Sequence, residues 1–229
     1  MRAHELITDE KLDEIESMSQ NVFSHEDVEE WLLNIPIPRN LRNIPLNPRY
    51  KYGLNVKSNG NLTIVILDND EIVAAASLNK YVIPSLSKTY EVDSIGVTHY
   101  YKKRNLAKTL YQIALNPKYG LNLTIVSGSR QTPGGIRNWV SLIKMPNISV
   151  TGYIKINHNH PYYQKYIDTL LNDLNGKYLG NFEGYQVYEF PVKYHPNLNR
   201  VDNAVAGKIS TISVYDGHTT TGMIARYIG

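Results

Sequence analysis

The strongest constraint on the fold is a stretch that reads as a strand, a basic loop and a helix, followed by a second strand. Residues 90 to 98 are rich in β-branched and aromatic types, which favours a strand. Residues 105 to 116 carry apolar side chains at helical spacing, and Asn116-Pro117 ends that helix. The apolar run 121 to 127 predicts a second, buried strand. The stretch is therefore a βαβ unit, whose two strands run parallel.

The loop inside this unit carries charges that suggest a ligand. Lys102, Lys103 and Arg104 immediately precede the helix. A helix N-terminus offers unpaired backbone N–H groups and the positive end of the helix dipole. Three cations beside such an end favour a phosphate-bearing ligand. The alternative is an ordinary βα turn with a solvated basic face.

Residues 95 to 107, IGVTHYYKKRNLA, resemble the acetyl-coenzyme A loop of the GCN5-related N-acetyltransferases. That family carries Arg/Gln-x-x-Gly-x-Gly/Ala after its fourth strand, and Lys102, Asn105 and Ala107 fall on the three marked positions. Lys102 departs from Arg or Gln, and Asn105 departs from Gly. Because Asn tolerates a positive φ and also caps helices, Asn105 keeps the loop shape in this interpretation.

The resemblance implies an α/β (α+β) fold, with a mixed, mostly antiparallel sheet flanked by helices. An acetyltransferase-like domain would span residues 1 to 195, and residues 196 to 229 would form a C-terminal extension. The implied reaction is direct transfer of an acetyl group from acetyl-CoA, as co-substrate, to an amine in a ternary complex. The backbone of Ile95 and Val97 would pair with the pantetheine arm. The expected pyrophosphate-binding residues are Lys102, Lys103, Arg104, Asn105, Leu106 and Ala107.

The amino-acid composition limits the ligands, the kinds of catalysis and the cellular locations that we expect. With 24 Lys and Arg against 21 Asp and Glu, the net charge is +3, which suits an anionic cofactor or nucleic acid. The chain has no cysteine, so disulfides, cysteine-bound metal and thiol catalysis are excluded. The N-terminus lacks the apolar core of a signal peptide, and no apolar run approaches the ~20 residues of a membrane span. We therefore expect a cytoplasmic protein without a membrane partner (in the host cytoplasm, if it is phage-encoded).

The other elements follow from periodicity and turn signals. Further helices are predicted at residues 8 to 22, at 24 to 33, from 133 or 135 to 144, and at 162 to 174. Further strands are predicted at residues 62 to 67, 71 to 78, 148 to 156, 186 to 192 and 208 to 215. Residues 34 to 52 hold four prolines and predict a long irregular loop. The threonines at 219 to 221 are assigned to a turn.

Two carboxylates are candidates for the catalytic base. An amine must lose a proton before it attacks a thioester, and a carboxylate commonly accepts that proton. Glu91 and Asp93 are two residues apart on one predicted strand, so a regular strand places them on one face, shared with Ile95 and Val97. Asp93 is nearer the expected thioester and is the first choice. The alternative is that both carboxylates are solvated or paired with basic neighbours.

The general acid is not evident. The family often uses a tyrosine on the helix after the second strand of the βαβ unit, and the alignment places Leu142 or Ile143 there. Tyr153 or Ser127 would have to substitute. This departure leaves open a catalytically silent protein of the same fold, used as a binding or virion-associated module.

The segment from residue 128 to residue 139 is the candidate acceptor site. Its expected ligand-contacting residues are Arg130, Gln131, Gly134, Gly135 and Arg137. Paired glycines allow close approach of a backbone to a ligand, although a helix start at Pro133 is an alternative. Residues 130 to 135, RQTPGG, are similar to a segment in phage-encoded acetyltransferase-like proteins, including relatives of the Mom-type enzymes that modify DNA bases. Nucleic acid is therefore an alternative acceptor, and the histidine spacing predicts no metal site.

Overall fold

The computed structural model describes residues 25–45, 47–127, 133–173, 175–195, 200–202 and 219–229. Its α-helices are α1 (His25–Leu33), α2 (Leu106–Leu115), α3 (Pro133–Ile143) and α4 (Tyr163–Asp168). Its first six strands are β1 (Arg42–Ile44), β2 (Asn47–Val56), β3 (Leu62–Asp68), β4 (Glu71–Lys80), β5 (Thr89–Val97) and β6 (Thr124–Ser127). The others are β7 (Ile148–Asn157), β8 (Lys177–Phe182), β9 (Tyr185–Pro191), β10 (Lys193–His195), β11 (Arg200–Asp202) and β12 (Thr219–Tyr227).

Ten of these strands form one sheet in the order β1-β2-β3-β4-β5-β6-β12-β7-β9-β8. The β5–β6 pair is parallel, and the other neighbouring pairs in this sheet are antiparallel. The predicted fold class, a mixed and mostly antiparallel sheet flanked by helices, is confirmed. The βαβ unit is confirmed as well, since α2 connects the two parallel strands.

The two faces of the sheet are covered differently. On one face, α2 packs into the largest apolar cluster, with Leu110 and Ile113 fully buried and Trp139 of α3 beside them. On the other face, α1 covers β3 to β5 through Leu32 and its neighbours. A Cβ on Gly96 of β5 would lie 2.8 Å from Trp31, so this glycine permits the close approach of α1.

The predicted irregular loop at residues 34 to 52 is wrong from Arg42 onward, because β1 and most of β2 lie in it. Pro48 is tolerated because the ladder with β3 begins at Tyr50, which pairs with Asp68, so the residues before it need no donor toward β3. Tyr50 and Tyr52 alternate inward and are buried. Counting prolines was therefore misleading where the alternation of tyrosines gave the correct signal.

The turn predicted at residues 219 to 221 is also wrong, because these threonines begin β12. This strand lies between β6 and β7, with Ile224 opposite both Val126 and Thr151. Arg226 forms an ion pair with the buried Glu189 of β9. Part of the expected extension thus belongs to the main sheet, while a domain boundary at residue 195 stays a prediction.

The remaining differences are smaller. Strand β8, at one edge of the sheet, was not predicted. The strand expected from residue 121 begins at Thr124, and the helix expected over residues 162 to 174 is α4 followed by a π-helical turn at Thr169–Asp173. The helix predicted at residues 8 to 22 and the strand predicted at residues 208 to 215 lie outside the described residues.

Candidate active site

The loop that joins β5 to α2 has a compact backbone. One turn of 3-10 helix, His99–Tyr101, comes first. Two residues then adopt left-handed conformations, Lys103 at φ 62° and Asn105 at φ 59°. Left-handed residues within a turn direct backbone N–H groups toward a common concavity, as in the nests that bind anions. The positive φ predicted for Asn105 is confirmed, although its side chain makes no capping hydrogen bond.

The start of α2 supplies further donors. The N–H of Thr109 donates to the carbonyl of Asn105 at 2.9 Å. The N–H groups of residues 106 to 108 precede this bond and have no acceptor within the helix. Exposed cations at positions 102 to 104 stand immediately before them, and the guanidinium carbon of Arg104 lies 4.9 Å from the centre of the Tyr101 ring. The arrangement can bind a doubly charged anion such as a pyrophosphate.

Strands β5 and β6 pair over only four residues each. Their register runs from Thr89 opposite Thr124 to Val92 opposite Ser127. Beyond that point β5 continues to Val97, and within the described residues it pairs there with β4 alone. The edge of β5 that faces away from β4, including the backbone of Ile95 and Val97, is where the predicted pantetheine contact would lie. We call the end of the β5–β6 pair, at Val92 and Ser127, the fork.

The expectation that Glu91 and Asp93 share a face with Ile95 and Val97 is wrong. The β4–β5 register shifts between Ser77 and Leu78, so β5 carries a bulge at Asp93. Tyr90, Val92, Ile95 and Val97 all pack against the cluster around α2, so the inward alternation moves by one residue at the bulge. Glu91 therefore lies on the opposite face, the side on which Val126 packs against Tyr153.

The two carboxylates have different surroundings. Glu91 is partly buried, and burial raises the pKa of its carboxyl group above the ordinary value; Lys155 opposes this shift and Asp93 adds to it. Asp93 is exposed, and its carboxylate accepts hydrogen bonds of 3.3 Å from the Asn79 amide and from the Ser94 hydroxyl. A raised pKa is the property that suits a carboxylate to accept a proton near neutral pH, and of these two carboxylates Glu91 is the partly buried one.

Tyr153 is buried at the fork. Its hydroxyl donates a long hydrogen bond, 3.4 Å, to the carbonyl of Ser127. Burial raises the pKa of the Tyr153 phenol strongly, Tyr81 adds through its charge and a hydrogen bond, and the charge of Glu91 adds further. The phenol consequently stays protonated and can act as a donor. Strand β12 also contacts the fork, since the N–H of Met223 donates to the Ser127 hydroxyl at 2.8 Å.

Other candidates from the sequence are dispersed. Leu142, one of the two positions aligned with the family's tyrosine, is buried in the apolar cluster of α2. Gly134, Gly135 and Arg137 lie in the first half of α3, which begins at Pro133 as predicted. Arg130 and Gln131 lie outside the described residues, so the acceptor role of this segment stays a prediction.

Sequence reasoning missed a buried ionic group beside the loop. Asp68, the last residue of β3, is 2% exposed. Its carboxylate accepts hydrogen bonds from Arg49 and from the Tyr101 hydroxyl. The available signal was a charged residue closing a strand that is otherwise apolar or β-branched, LTIVILD. Lys155 was missed too; its ammonium lies 4.3 Å from the centre of the Tyr81 ring.

No protein-family model matches the sequence, and no curated protein is similar enough in sequence to count as a match. Solved structures similar to the chain include several acetyltransferases. One is the ribosomal-protein-S18-alanine N-acetyltransferase of Escherichia coli, which is 13% identical with a TM-score of 0.32, over 61% of this chain and 73% of that chain. Another is the diaminobutyrate acetyltransferase of Paenibacillus lautus, solved with its substrate and coenzyme A. It is 14% identical with a TM-score of 0.33, over 56% of this chain and 69% of that chain.

A third is a GNAT family acetyltransferase from Elizabethkingia anophelis with acetyl-CoA bound, 14% identical with a TM-score of 0.29. That alignment covers 57% of this chain and 76% of the other. At such identities the similarity concerns the fold alone. Separately, within the described part of the chain, no helix has the length and apolar character needed to cross a bilayer.

Proposed function

We propose that this chain is an acyl-CoA-dependent N-acetyltransferase that moves an acetyl group directly to an amine in a ternary complex. The observation that carries the proposal is the loop before α2. It combines two left-handed residues, a helix N-terminus with unpaired donors and three consecutive cations. Glu91, a carboxylate of raised pKa, lies on β5 beside the fork, and the loop follows the end of the same strand.

In this proposal the loop binds the pyrophosphate of acetyl-CoA. The N–H groups of residues 106 to 108 donate to the phosphate oxygens, while Lys102, Lys103 and Arg104 balance their charge. The edge of β5 offers backbone groups at Ile95 and Val97 to the pantetheine arm. The thioester would then lie near the fork, where the two parallel strands separate.

Glu91 is the proposed base. Its carboxylate takes one proton from the acceptor ammonium, and its raised pKa makes this transfer less unfavourable. The amine nitrogen then forms a bond to the acetyl carbon, the bond from that carbon to sulfur breaks, and a second amine proton leaves with the sulfur. Asp93, first choice from the sequence, serves as the comparison because it is exposed on the bulge.

Tyr153 is proposed as a hydrogen-bond donor rather than as an acid that gives up its proton. A thiol loses its proton near pH 8.5, far more readily than a phenol whose pKa is raised by burial. Proton transfer from Tyr153 to the sulfur is therefore unfavourable. In the transition state the hydroxyl would exchange its long contact with the Ser127 carbonyl, 3.4 Å, for a hydrogen bond to the negative charge that develops.

Calorimetry with coenzyme A and acetyl-CoA tests the proposal. We expect both ligands to bind to the unmodified chain. The double variant Lys102→Glu with Arg104→Glu should bind at least about tenfold more weakly, and its binding should depend less on salt, because fewer charge contacts remain to be screened. The matched control is Lys57→Glu with Lys177→Glu, which makes the same charge change at exposed lysines in the β2–β3 turn and on the edge strand β8.

No binding at millimolar coenzyme A would overturn the proposal and favour a non-catalytic binding module. If coenzyme A binds, release of its thiol from acetyl-CoA is then measured with small amines, peptides, RNA and DNA as acceptors. Acetyl transfer to a small amine or peptide supports the proposed reaction. Reaction with DNA alone would favour the alternative, modification of a nucleic-acid base.

A further inference from the structure

The basic loop is attached to the sheet by a buried carboxylate. Asp68 Oδ2 accepts hydrogen bonds from Arg49 Nε at 2.8 Å, from Arg49 Nη2 at 2.5 Å and from Tyr101 Oη at 2.8 Å. The Asp68 side chain is 2% exposed. Three residues from β2, β3 and the loop therefore meet at one oxygen.

This carboxylate remains ionised. The hydrogen bond from Arg49 lowers the pKa of Asp68 most, burial opposes it, and the bond from Tyr101 lowers the pKa further. The same contact raises the pKa of the Tyr101 phenol, so this hydroxyl keeps its proton and remains the donor. The link between strand and loop is thus a charge-assisted hydrogen bond, which is stronger than one between neutral groups.

Tyr101 connects the Asp68 carboxylate to the segment that carries the three cations. It is the last residue of the 3-10 turn, and Lys102, Lys103 and Arg104 follow it directly. Its ring packs edge-on against Tyr50, with 6.4 Å between the ring centres. The ring also contacts Arg104, whose guanidinium carbon is 4.9 Å from the ring centre. The hydrogen bond of the Tyr101 hydroxyl therefore fixes the position of the ring against which Arg104 packs.

Stability alone does not require this arrangement. The Arg49 side chain is 53% exposed, and ion pairs that reach solvent typically contribute little stability; β3 is otherwise apolar or β-branched. Meanwhile Lys103 and Asn105 hold left-handed conformations that cost non-glycine residues energy. An attachment immediately before them would hold that conformation in the absence of ligand.

We infer that Asp68 and Tyr101 are positioning residues, whose hydrogen bond preforms the anion-binding loop. The inference rests on the proposed function, because it concerns the loop that would hold the pyrophosphate. Arg49 serves in it as the partner that allows the carboxylate to be buried. Neither Asp68 nor Tyr101 would touch the ligand; they act by reducing the conformational freedom that the loop loses on binding.

The variant Tyr101→Phe tests the inference, because it keeps the ring with its contacts to Tyr50 and Arg104 and removes the hydroxyl. We expect the Kd for coenzyme A and that for inorganic pyrophosphate to rise together by about tenfold, since a hydrogen bond to a charged group is lost. Hydrogen exchange at the amides of residues 102 to 108 should accelerate in the ligand-free protein. Asp68→Asn should weaken both ligands as well, with a lower melting temperature because Arg49 loses its counter-charge.

The matched control is Tyr52→Phe. It removes the buried hydrogen bond from the Tyr52 hydroxyl to the carbonyl of Tyr119, 3.2 Å, and should lower the melting temperature without changing either Kd. If Tyr101→Phe binds both ligands as the unmodified chain does and its loop amides exchange no faster, the inference is wrong while the proposed function stands. If the unmodified chain binds neither ligand, the proposed function fails, and with it the ligand role of the attachment.

Discussion

The anion-binding loop and the fork are built in opposite ways. The loop comes from one contiguous segment, residues 98 to 109, with exposed cations and backbone donors. The surroundings of the fork come from four strands, which contribute Glu91, Ser127, Tyr153 and Gly222, and Ser127 and Tyr153 are buried there. Binding of coenzyme A should therefore withstand disturbances of the sheet, whereas turnover should respond to small movements of its strands. Measuring turnover and affinity for the same variant therefore distinguishes the two regions.

The largest effect is expected from Glu91→Gln. Removing a general base that acts in the transition state should lower turnover by ~10²-fold or more, which is the usual contribution of general base catalysis to the rate. Affinity for coenzyme A should stay unchanged, because the loop is untouched. Steady-state kinetics and calorimetry on the same preparation measure both. Asp93→Asn, two residues away on the same strand, is the comparison; a larger loss there would return the role of base to Asp93.

The pH dependence of turnover provides a second test of the role of Glu91. Burial raises the pKa of Glu91, so the carboxylate is lost on acidification at a higher pH than for an ordinary glutamate. Turnover should rise with pH through that raised pKa, and Glu91→Gln should remove the rise. For folding the sign is opposite. Stability linked to Glu91 is complete below its ordinary pKa and is lost as the pH rises through the raised one, so the Gln variant should lose less stability there.

A smaller loss is expected from Tyr153→Phe. This change keeps the buried ring and removes the hydroxyl, so turnover should fall by about tenfold to a hundredfold through the lost donor. The pH at which turnover rises should remain where Glu91 sets it. Tyr188→Phe, which removes a buried hydroxyl that donates to Gln186 at 2.7 Å, is the control and should leave turnover intact. Equal rates for Tyr153→Phe and the unmodified chain would exclude Tyr153 from the chemistry.

The smallest effect on turnover should come from Gly222→Ala. A Cβ at this position would lie 2.5 Å from Tyr153 Cε1 and 2.9 Å from Ser127 Oγ, so the tyrosine or β12 must shift. Overpacking of this kind typically costs about 1–3 kcal/mol of stability. We expect a several-fold loss of turnover and a lower melting temperature. Unchanged binding of coenzyme A, measured well below that temperature, would separate the fork from the loop; weaker binding would mean that the two are coupled.

The same contrast decides how much the sequence could predict. The β5–α2–β6 unit was predicted because its signals are local: strand composition, helical spacing of Leu106 and Leu110, and a proline after Asn116. The left-handed Asn105 followed from the chemistry of its own side chain. Every one of these signals lies within a few residues of the feature that it predicts.

The fork depends on pairing that local patterns do not record. The bulge at Asp93 reverses which side chains face α2, and nothing in the sequence of β5 alone distinguishes it from a regular strand. The threonines that open β12 are β-branched and suit a strand or a turn; neighbours on β7 decide between the two. Asp68 could be read as a hairpin residue, and indeed precedes a turn, but its bond to Tyr101 joins positions 33 residues apart.

The position of β12 also bears on how the protein reaches its native state. Among the described strands, β6 and β7 make no direct pair, so β12 supplies the backbone ladder that joins β1 to β6 with β7 to β9. Ile224 pairs with Val126, which is distant from it in the sequence. Contacts between residues that are distant in sequence form slowly, because closing a long loop costs entropy. Ser127 of β6 and Tyr153 of β7 lie on the two sides of this junction. Catalytic competence should therefore appear in the last kinetic phase of refolding, after the loop has already acquired its affinity for coenzyme A.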